Sequence, residues 1–226
     1  MDRDLAVASS KTNVLARIIG ARMRPTRVLV VGCGDGLEAG ILAREFSADT
    51  VGIDIGAEFA FDHAAAHPAQ LLTMDAQALE FADCSFDLVY SFHALEHIPS
   101  PPKALHEMRR VLVPGGAFLI GTPNKSRLIG YLGSASPIRD RVRWNFIDLG
   151  ARLRGRWSNE AGAHAGFSAQ ELVTLCRESF GEGEDISVEY YRSLYSGKER
   201  VVDLLNRLKL EEIVFPCVYV LGQKID

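Results

Sequence analysis

A run of apolar residues that passes directly into closely spaced glycines constrains the fold of this chain more than any other feature. The run is VLVVGCGDG, residues 28–36, with glycine at positions 32, 34 and 36. A β-branched run predicts a strand buried on both faces, and the glycines predict a turn whose backbone comes close to another group. Residues 37–46 then have helical apolar spacing. A strand, a glycine-rich turn and a helix in this order are typical of a nucleotide pocket, with the N–H groups of the turn and the positive end of the helix facing the ligand.

The glycine spacing restricts the kind of nucleotide. The dinucleotide pattern G-x-G-x-x-G would need glycine at position 37, where the chain has Leu37. The pattern here is G-x-G-x-G, which disfavours nicotinamide-dependent oxidoreduction. A purely structural turn is the alternative that this motif alone leaves open.

Acidic residues follow two further predicted strands. Asp54 ends the strand 50–53, where a carboxylate could accept hydrogen bonds from both ribose hydroxyls or act only as a helix N-cap. Asp75 and Ala76 follow a third strand, and a fourth covers 86–91. The ends of parallel strands meet at one edge of an open α/β sheet, so these residues are expected to line one ligand crevice.

The motifs taken together resemble a known family. VLVVGCGDG, GIDIG, MDAQALEF, FDLVYSFHALEHI and LHEMRRVLVPGGAFLIGTPN follow one another between residues 26 and 124, and HAGFSAQEL follows at 164–172. This order resembles the class I S-adenosylmethionine-dependent methyltransferases, in particular their small-molecule, type 11-like branch. One position departs from the family: an acidic residue usually stands two positions before the first glycine, and this chain has Val30 there. The departure affects one indirect contact near the methionine end of the cofactor.

The resemblance implies a fold, a cofactor and a reaction. The fold would be α/β and Rossmann-like, a doubly wound, seven-stranded, mostly parallel sheet with an antiparallel edge strand and a cap insertion after the fifth strand. The cofactor would be S-adenosyl-L-methionine, and a methyl group would move to oxygen, nitrogen or carbon of a small acceptor, anionic or aromatic in character. The alternative is a non-catalytic domain that binds S-adenosylmethionine in a regulatory role.

The resemblance also assigns residues to the cofactor. The glycine turn would hold the methionine part, Asp54 the ribose, and Asp75 with Ala76 the adenine. The full set of predicted cofactor-binding residues is Gly32, Cys33, Gly34, Gly36, Asp54, Ile55, Asp75, Ala76, Ser91 and Phe92.

Three histidines are candidate catalytic bases. His93 and His97 flank Glu96 just after the fourth strand, where the resembled family brings methyl donor and acceptor together, and His164 closes a later segment. The main task of the protein in methyl transfer is alignment, and a base is needed only for a hydroxyl or a protonated amine. Histidine suits that role near neutral pH. The alternatives are that His97 hydrogen-bonds the following loop and that His93 only lines the pocket.

The segment 122–167 interrupts the alternation of strands and helices. It contains eight Lys/Arg against three Asp/Glu, both tryptophans (Trp144 and Trp157), Tyr131 and Phe146. In the resembled family an insertion here commonly forms part of the acceptor site, and arginines beside aromatic rings suit a flat or anionic acceptor. Contact with a membrane surface and a solvated insertion whose Arg stems cover the rings are the alternatives.

Composition and charge limit which other kinds of protein this chain can be. The 226 residues fit one domain, 1–226, and the net charge of −4 with a pI near 5.9 argues against general nucleic-acid binding. The four cysteines form no C-x-x-C pair, which indicates neither a zinc site nor a disulfide framework and fits a reduced, cytoplasmic protein. No apolar stretch is long enough for a membrane span, and the start lacks the pattern of a signal peptide. A monomer and a homodimer both remain open.

The flanking segments carry further expectations. Residues 1–24 predict a helix that either closes over the cofactor or packs on the sheet. Residues 57–66 predict the second helix; His63 and His67 near it are spaced like a metal pair, but no third ligand is near, so no metal site is expected. Ser168 and Glu171 predict a capping box at a helix start. Two last strands are expected at 185–191 and 213–224, with an amphipathic helix at 197–212 between them that either covers the core or makes a dimer contact.

Overall fold

One sheet of seven strands forms the centre of the protein. The computed structural model describes residues 3–56, 69–130, 136–160 and 163–225, with side chains from residue 9 onward. The strands follow the order β3-β2-β1-β4-β5-β7-β6, and their bounds are β1 Arg27–Val31, β2 Asp49–Asp54, β3 Gln70–Thr73, β4 Phe86–Phe92, β5 Leu112–Pro123, β6 Glu184–Asp185 and β7 Cys217–Gln223. Strands from residues 27 to 223 all belong to this one sheet.

Helices cover both faces of the sheet. Their bounds are α1 Arg3–Gly20, α2 Leu37–Phe46, α3 Pro101–Val111, α4 Ile138–Leu153, α5 Ala169–Phe180, α6 Ser187–Leu194, α7 Glu199–Arg207 and α8 Glu211–Val214, with a short 3-10 turn at Leu95–His97. Two clusters of buried apolar residues lie on opposite sides of the sheet: α1, α2 and α6 pack on one, and α3 and α5 pack on the other. The predicted helix at 57–66, with His63 and His67, lies outside the described residues, as does Tyr131.

The strand order fixes where a ligand can bind. β1 pairs in parallel with β2 on one side and with β4 on the other, so the order reverses between β1 and β4. The crossovers leave a crevice outside the carboxyl ends of these strands, which is the usual ligand site of an open α/β sheet. The predicted fold class, doubly wound and mostly parallel, is confirmed.

The antiparallel edge of the sheet is present but differs from the prediction. β7 runs antiparallel to β5, and β6 pairs antiparallel with β7 through only two residues. The predicted strand at 185–191 is wrong beyond Asp185. The Asp185 side chain accepts the Ser187 N–H at 2.8 Å and so starts α6, whose Tyr190 and Tyr191 then bury their rings against the sheet.

The structure also shows how the first and last helical segments pack. The described part of α1 buries Val14, Leu15, Ile18 and Ile19 in the core formed with α2 and α6, which favours packing on the sheet over a lid. The segment 197–212 contains α7 and then the beginning of α8. Val202 of α7 is buried, whereas Leu204 and Leu208 are more than half exposed, at 53% and 57%. The apolar side chains of α7 and of the residue after it are therefore only partly buried.

Candidate active site

A cavity of about 450 Å³ lies at the carboxyl ends of β1, β2, β3 and β4. It brings together seven of the residues predicted for the site: Gly32, Asp54, Ile55, Asp75, Ala76, His93 and His97. The residues of its wall that the sequence did not single out are Val31, Ile53, Met74, Gln77, Ala94, Ile98 and Pro99. A larger cavity, of about 570 Å³, lies between Ile19 and Ala117 toward the amino-terminal ends of the parallel strands, away from these residues.

The glycine turn is shaped by close packing at its first position. Gly32 has φ +73, and a Cβ there would lie 2.1 Å from the Cβ of Ala94. Only glycine lets the chain leave β1 past the segment that follows β4. The N–H groups of Gly32 and Cys33 both donate to the Ile53 carbonyl, at 2.8 and 3.0 Å. The prediction that the turn points its N–H groups at a ligand is therefore wrong at these two positions, because they continue the pairing of β1 with β2.

Five predicted cofactor-binding residues are not part of the described cavity wall. The Cys33 side chain is buried in the core beside Gly52, and a Cβ on Gly36 would meet Leu71. Ser91 is buried within β4, and the Phe92 ring stacks on the Tyr219 ring. Gly34 has open space on its Cβ side, and its N–H donates to Asp54, which lies on the cavity wall. The sequence motif includes these residues because they shape the turn and the core.

Asp54 is held in place by the glycine turn. The Gly34 N–H donates to Asp54 Oδ2 at 2.9 Å, and the Gly56 N–H reaches Oδ1 at 3.4 Å. Ile55, beside it, is 72% exposed, the most solvent-accessible large apolar residue on the cavity wall. A carboxylate presented at the end of β2 beside an exposed apolar surface can accept hydrogen bonds from a pair of ligand hydroxyls.

Asp75 stabilises the turn that follows β3. Its Oδ1 accepts the Gln77 N–H at 2.8 Å, and this hydrogen bond, with the Gln77 side chain, lowers the Asp75 pKa. The Gln77 Oε1 in turn accepts the Ser100 N–H at 3.2 Å. Gln77 thereby joins the β3 turn to the segment after β4, a positioning role that only the local MDAQ motif could have suggested.

The three predicted catalytic histidines lie in one cluster around Glu96. His93 Nδ1 is 3.3 Å and His97 Nε2 is 3.9 Å from Glu96 Oε1, and the His97 and His164 rings are 4.7 Å apart between centroids. The Glu96 side chain is 1% exposed, whereas about half of the His97 side chain, 51%, reaches solvent. Burial lowers the His93 pKa, but the neighbouring Cys217 and Glu96 outweigh it and hold that pKa above its ordinary value.

A second acidic residue lies close to the turn and was not singled out in the sequence. Glu38 stands in the first turn of α2, and its Oε1 accepts the Thr12 hydroxyl of α1 at 3.3 Å. Burial raises the Glu38 pKa to about 7, against the lowering effect of His93. Thr12 is 26 residues away in sequence, so no local pattern could have indicated this contact.

In the cap insertion, residues 122–167, some arginines pack against an aromatic ring and others are exposed to solvent. Arg127 and Arg152 lie over the Trp157 ring, at 4.9 and 4.1 Å from the centroid, and Arg127 also pairs with Asp148. These two arginines therefore anchor the cap. The remaining arginines of α4 and the segment after it that are exposed are Arg139, Arg143, Arg154 and Arg156.

Within the residues that the structure describes, no three His, Cys, Asp or Glu side chains are arranged to hold a metal ion. No helix within the same ranges is long and apolar enough to cross a bilayer.

Comparison with known proteins agrees with this geometry. The profile of a family described as a methyltransferase domain matches residues 29–120. Tocopherol O-methyltransferase of Arabidopsis thaliana is 40% identical over 103 residues, 42% of this chain and 30% of that protein. Ubiquinone biosynthesis O-methyltransferase of Psychrobacter arcticus is 30% identical over 166 residues, 66% of this chain and 62% of that protein. The crystal structure of the cyclase SpnF superposes with a TM-score of 0.57 and 20% identity, over 93% of this chain and 80% of that one.

The fold and the site define a class, and the sequence relatives define the family. A seven-stranded sheet of this order, with its cavity at the strand ends, is the Rossmann-like methyltransferase fold. The chain belongs to the class I S-adenosylmethionine-dependent methyltransferases, whose cofactor is S-adenosylmethionine. The alignments span 30% to 53% of the lengths of three curated relatives, so its particular activity is a separate question.

Proposed function

We propose that this protein transfers a methyl group from S-adenosylmethionine to a small acceptor. The observation that supports this most directly is the placement of Asp54, Asp75 and His97 on the wall of one cavity of about 450 Å³. The residues fit the cofactor, because Asp54 offers a carboxylate for two ribose hydroxyls and Asp75 with Ala76 lines a cleft beside Met74 and Ile98 for a flat base. When bound, S-adenosylmethionine supplies an electrophilic methyl group.

We assign the proton-accepting role to His97. His97 lines the cavity and is partly exposed, with Glu96 Oε1 3.9 Å from its Nε2 and the His164 ring 4.7 Å away between centroids. The raised pKa of His93 keeps that ring protonated near neutral pH, which suits a base poorly. For a hydroxyl acceptor, His97 Nε2 or Nδ1 would take the hydroxyl proton as the new O–C bond forms. Loss of such a base typically costs about 10²-fold or more in rate.

The acceptor class is suggested by an apolar stripe on α4. Ile138, Val142, Phe146, Leu149 and Leu153 recur at intervals of three to four residues, so they share one face of the helix. All five are exposed, Phe146 at 69% and Leu153 at 81%, and no described residue of α4 is buried. The side of α4 next to this stripe contacts the protein, since Asn145 accepts the Gly130 N–H at 2.7 Å and Asp148 pairs with Arg127.

This stripe fits an anionic membrane surface. The exposed arginines Arg139, Arg143, Arg154 and Arg156 lie beside or just after it, and an apolar helix face flanked by arginine is typical of interfacial helices. Two relatives are named for tocopherol and for ubiquinone biosynthesis. We therefore favour a lipophilic, hydroxyl-bearing acceptor that is taken up at a membrane surface, on the cytoplasmic side, by a monomer or homodimer.

Methyl transfer is tested with tritium-labelled S-adenosylmethionine and a panel of hydroquinones and phenols with and without apolar tails. Label should enter the organic extract with a tailed hydroquinone, and His97→Ala should reduce that rate about 100-fold. His106→Ala, an exposed histidine on α3, serves as the control. Cofactor binding without transfer to any acceptor would favour the non-catalytic alternative.

Membrane contact is tested by co-sedimentation with vesicles of phosphatidylglycerol or of phosphatidylcholine. The protein should sediment with the anionic vesicles, and the double substitution Phe146→Ser, Leu153→Ser should abolish this. Leu208→Ser, at an exposed apolar residue directly after α7, is the control. Equal binding to both lipids would contradict the preference for an anionic surface, and a wild-type dimer that the double substitution dissociates would identify the stripe as a protein contact.

A further inference from the structure

A cysteine lies beside the cavity and completes a three-residue chain of contacts. Cys217 is the first residue of β7, and because β7 is antiparallel to β5 this end lies at the carboxyl edge of the parallel strands. Its Sγ is 3.4 Å from His93 Nε2, and His93 Nδ1 is 3.3 Å from Glu96 Oε1. A thiol, an imidazole and a carboxylate in this order match the arrangement of a nucleophile, its base and the group that orients the base.

The backbone holds the three residues in this arrangement. His93 has φ +54, which non-glycine residues rarely adopt, and its N–H donates to the Gly121 carbonyl at 2.9 Å. The Cys217 N–H donates to the Tyr191 hydroxyl at 3.0 Å. Glu96 is buried, and its second oxygen, Oε2, is without a hydrogen-bond partner among the described residues. The carboxylate is therefore free to polarise the His93 ring.

The surrounding charges favour a thiolate paired with an imidazolium. Burial alone raises the Cys217 pKa, but the charge and hydrogen bond of His93 outweigh it and lower that pKa below its ordinary value. Lys11 of α1 and Arg127 after β5 act in the same direction. The ionisable groups that act on the pair from the elements packed around it are Lys11, Glu38, Glu96, Arg127, Tyr190, Tyr191, Tyr195 and Tyr219. A cysteine in such an electropositive, partly exposed setting is typically reactive.

The other three cysteines differ from Cys217. Burial raises the pKa of Cys33 and of Cys176 to about 12 in each case. Cys84 is exposed at a turn and contacts no histidine of the described ranges. The chain thus provides two buried thiols and one exposed thiol for comparison with Cys217.

We propose that Cys217, His93 and Glu96 form a thiol-addition site for α,β-unsaturated carbonyl compounds, beside the methyl-transfer cavity and independent of that reaction. The Cys217 sulfur forms a bond to the β-carbon, and the carbon–carbon π pair moves to the carbonyl oxygen. The enolate then takes the proton of His93 Nε2. The product is a stable thioether and a neutral imidazole, so the pair itself supplies both the nucleophile and the proton, and no other reactant is needed.

The test is N-ethylmaleimide labelling of the intact protein from pH 6 to pH 8, with a separate rate for each cysteine from peptide mass spectrometry. Free N-acetylcysteine, labelled under the same conditions, is the reference, and its rate should rise about tenfold per pH unit because it follows the thiolate fraction. The Cys217 rate should rise distinctly less steeply over this range, because His93 lowers the Cys217 pKa. A Cys217 profile as steep as that of N-acetylcysteine, or no reaction at Cys217, would overturn the proposal.

Substitution of His93 separates the pair from the general positive surroundings. His93→Gln should give Cys217 the steeper profile of N-acetylcysteine and leave the Cys84 rate unchanged, whereas His106→Gln should alter neither cysteine. A thermal melt of each variant confirms folding before labelling. If Cys217 keeps its wild-type profile in His93→Gln, Lys11 and Arg127 alone account for the reactive thiol, and the three-residue site is refuted.

Discussion

At the residue scale, Gly32 has the tightest steric constraint in the cavity wall. Gly32→Ala would place a Cβ 2.1 Å from the Ala94 Cβ at φ +73. Left-handed strain and overpacking together should lower the free energy of unfolding by about 3 kcal/mol. Gly34→Ala is the matched control, since its φ is also positive but its Cβ side is open, and it should cost about 1 kcal/mol. If urea unfolding showed equal losses of stability for the two variants, Ala94 would have moved away from the new Cβ at little cost in free energy.

Glu38 should make stability depend on pH. The free carboxyl ionises from its ordinary pKa of 4.5 upward, whereas in the folded protein burial holds the Glu38 pKa at about 7. The unfolded state therefore releases its proton first as the pH rises between these values, and folding loses stability over that window. The loss should amount to about 3 kcal/mol.

The measurement compares Glu38→Gln with wild type by urea unfolding at pH 5, 6, 7 and 8. The variant should be more stable than wild type at pH 7 and above, with the difference disappearing toward pH 5. Glu45→Gln, an exposed residue on the same helix, is the control. A difference that stayed constant across the four pH values would show that Glu38 is ionised in the folded protein throughout.

The residues that could be predicted from the sequence are those that directly follow a strand. Gly32, Asp54 and Asp75 are such residues, because strand order alone brings them to one edge. Glu38 and Cys217 could not be predicted, since their functions depend on contacts with residues 26 and 124 positions away. Cys33 has the right position in the motif, but in the turn after β1 its side chain is buried in the core beside Gly52.

At the scale of elements, α5 shows how a short motif sets a helix start. The Glu171 N–H donates to the Ser168 hydroxyl, and the Ser168 N–H donates to the Glu171 carboxylate, at 3.2 and 2.8 Å. Ser168→Ala should therefore cost about 1 kcal/mol in the free energy of unfolding. Ser196→Ala, at an exposed site after α6, should cost much less. A Ser168→Ala protein as stable as wild type would mean that the packing of Leu172 and Phe180 alone fixes the helix.

The elements were predictable wherever a buried strand alternated with a helix. The five parallel strands follow from apolar runs and glycine turns, and the structure confirms these strands. The segment 185–191 was not predictable, because its alternating apolar residues are also compatible with one buried face of a short helix. Asp185, which accepts the Ser187 N–H, decides between the two.

At the scale of the whole molecule, the candidate cofactor cavity and the exposed apolar stripe of α4 lie in different parts of the chain. The cavity is formed by elements between residues 31 and 99, whereas the exposed apolar stripe belongs to the cap after β5. The same fold occurs in the cyclase SpnF, so the fold by itself does not define methyl transfer. Cofactor binding at the cavity is the claim on which the proposed activity depends.

The most direct test of that claim is calorimetric titration of S-adenosylhomocysteine into wild type, Asp54→Ala and Asp49→Ala. Asp49 lies at the opposite end of the same strand β2 and is exposed, which makes it a matched control. Wild type and Asp49→Ala should bind with the same affinity within a factor of about two, and Asp54→Ala at least about tenfold more weakly, since about 1.4 kcal/mol or more of hydrogen bonding is lost. Equal affinity in all three proteins, or no binding by wild type, would contradict the placement of the cofactor in this cavity.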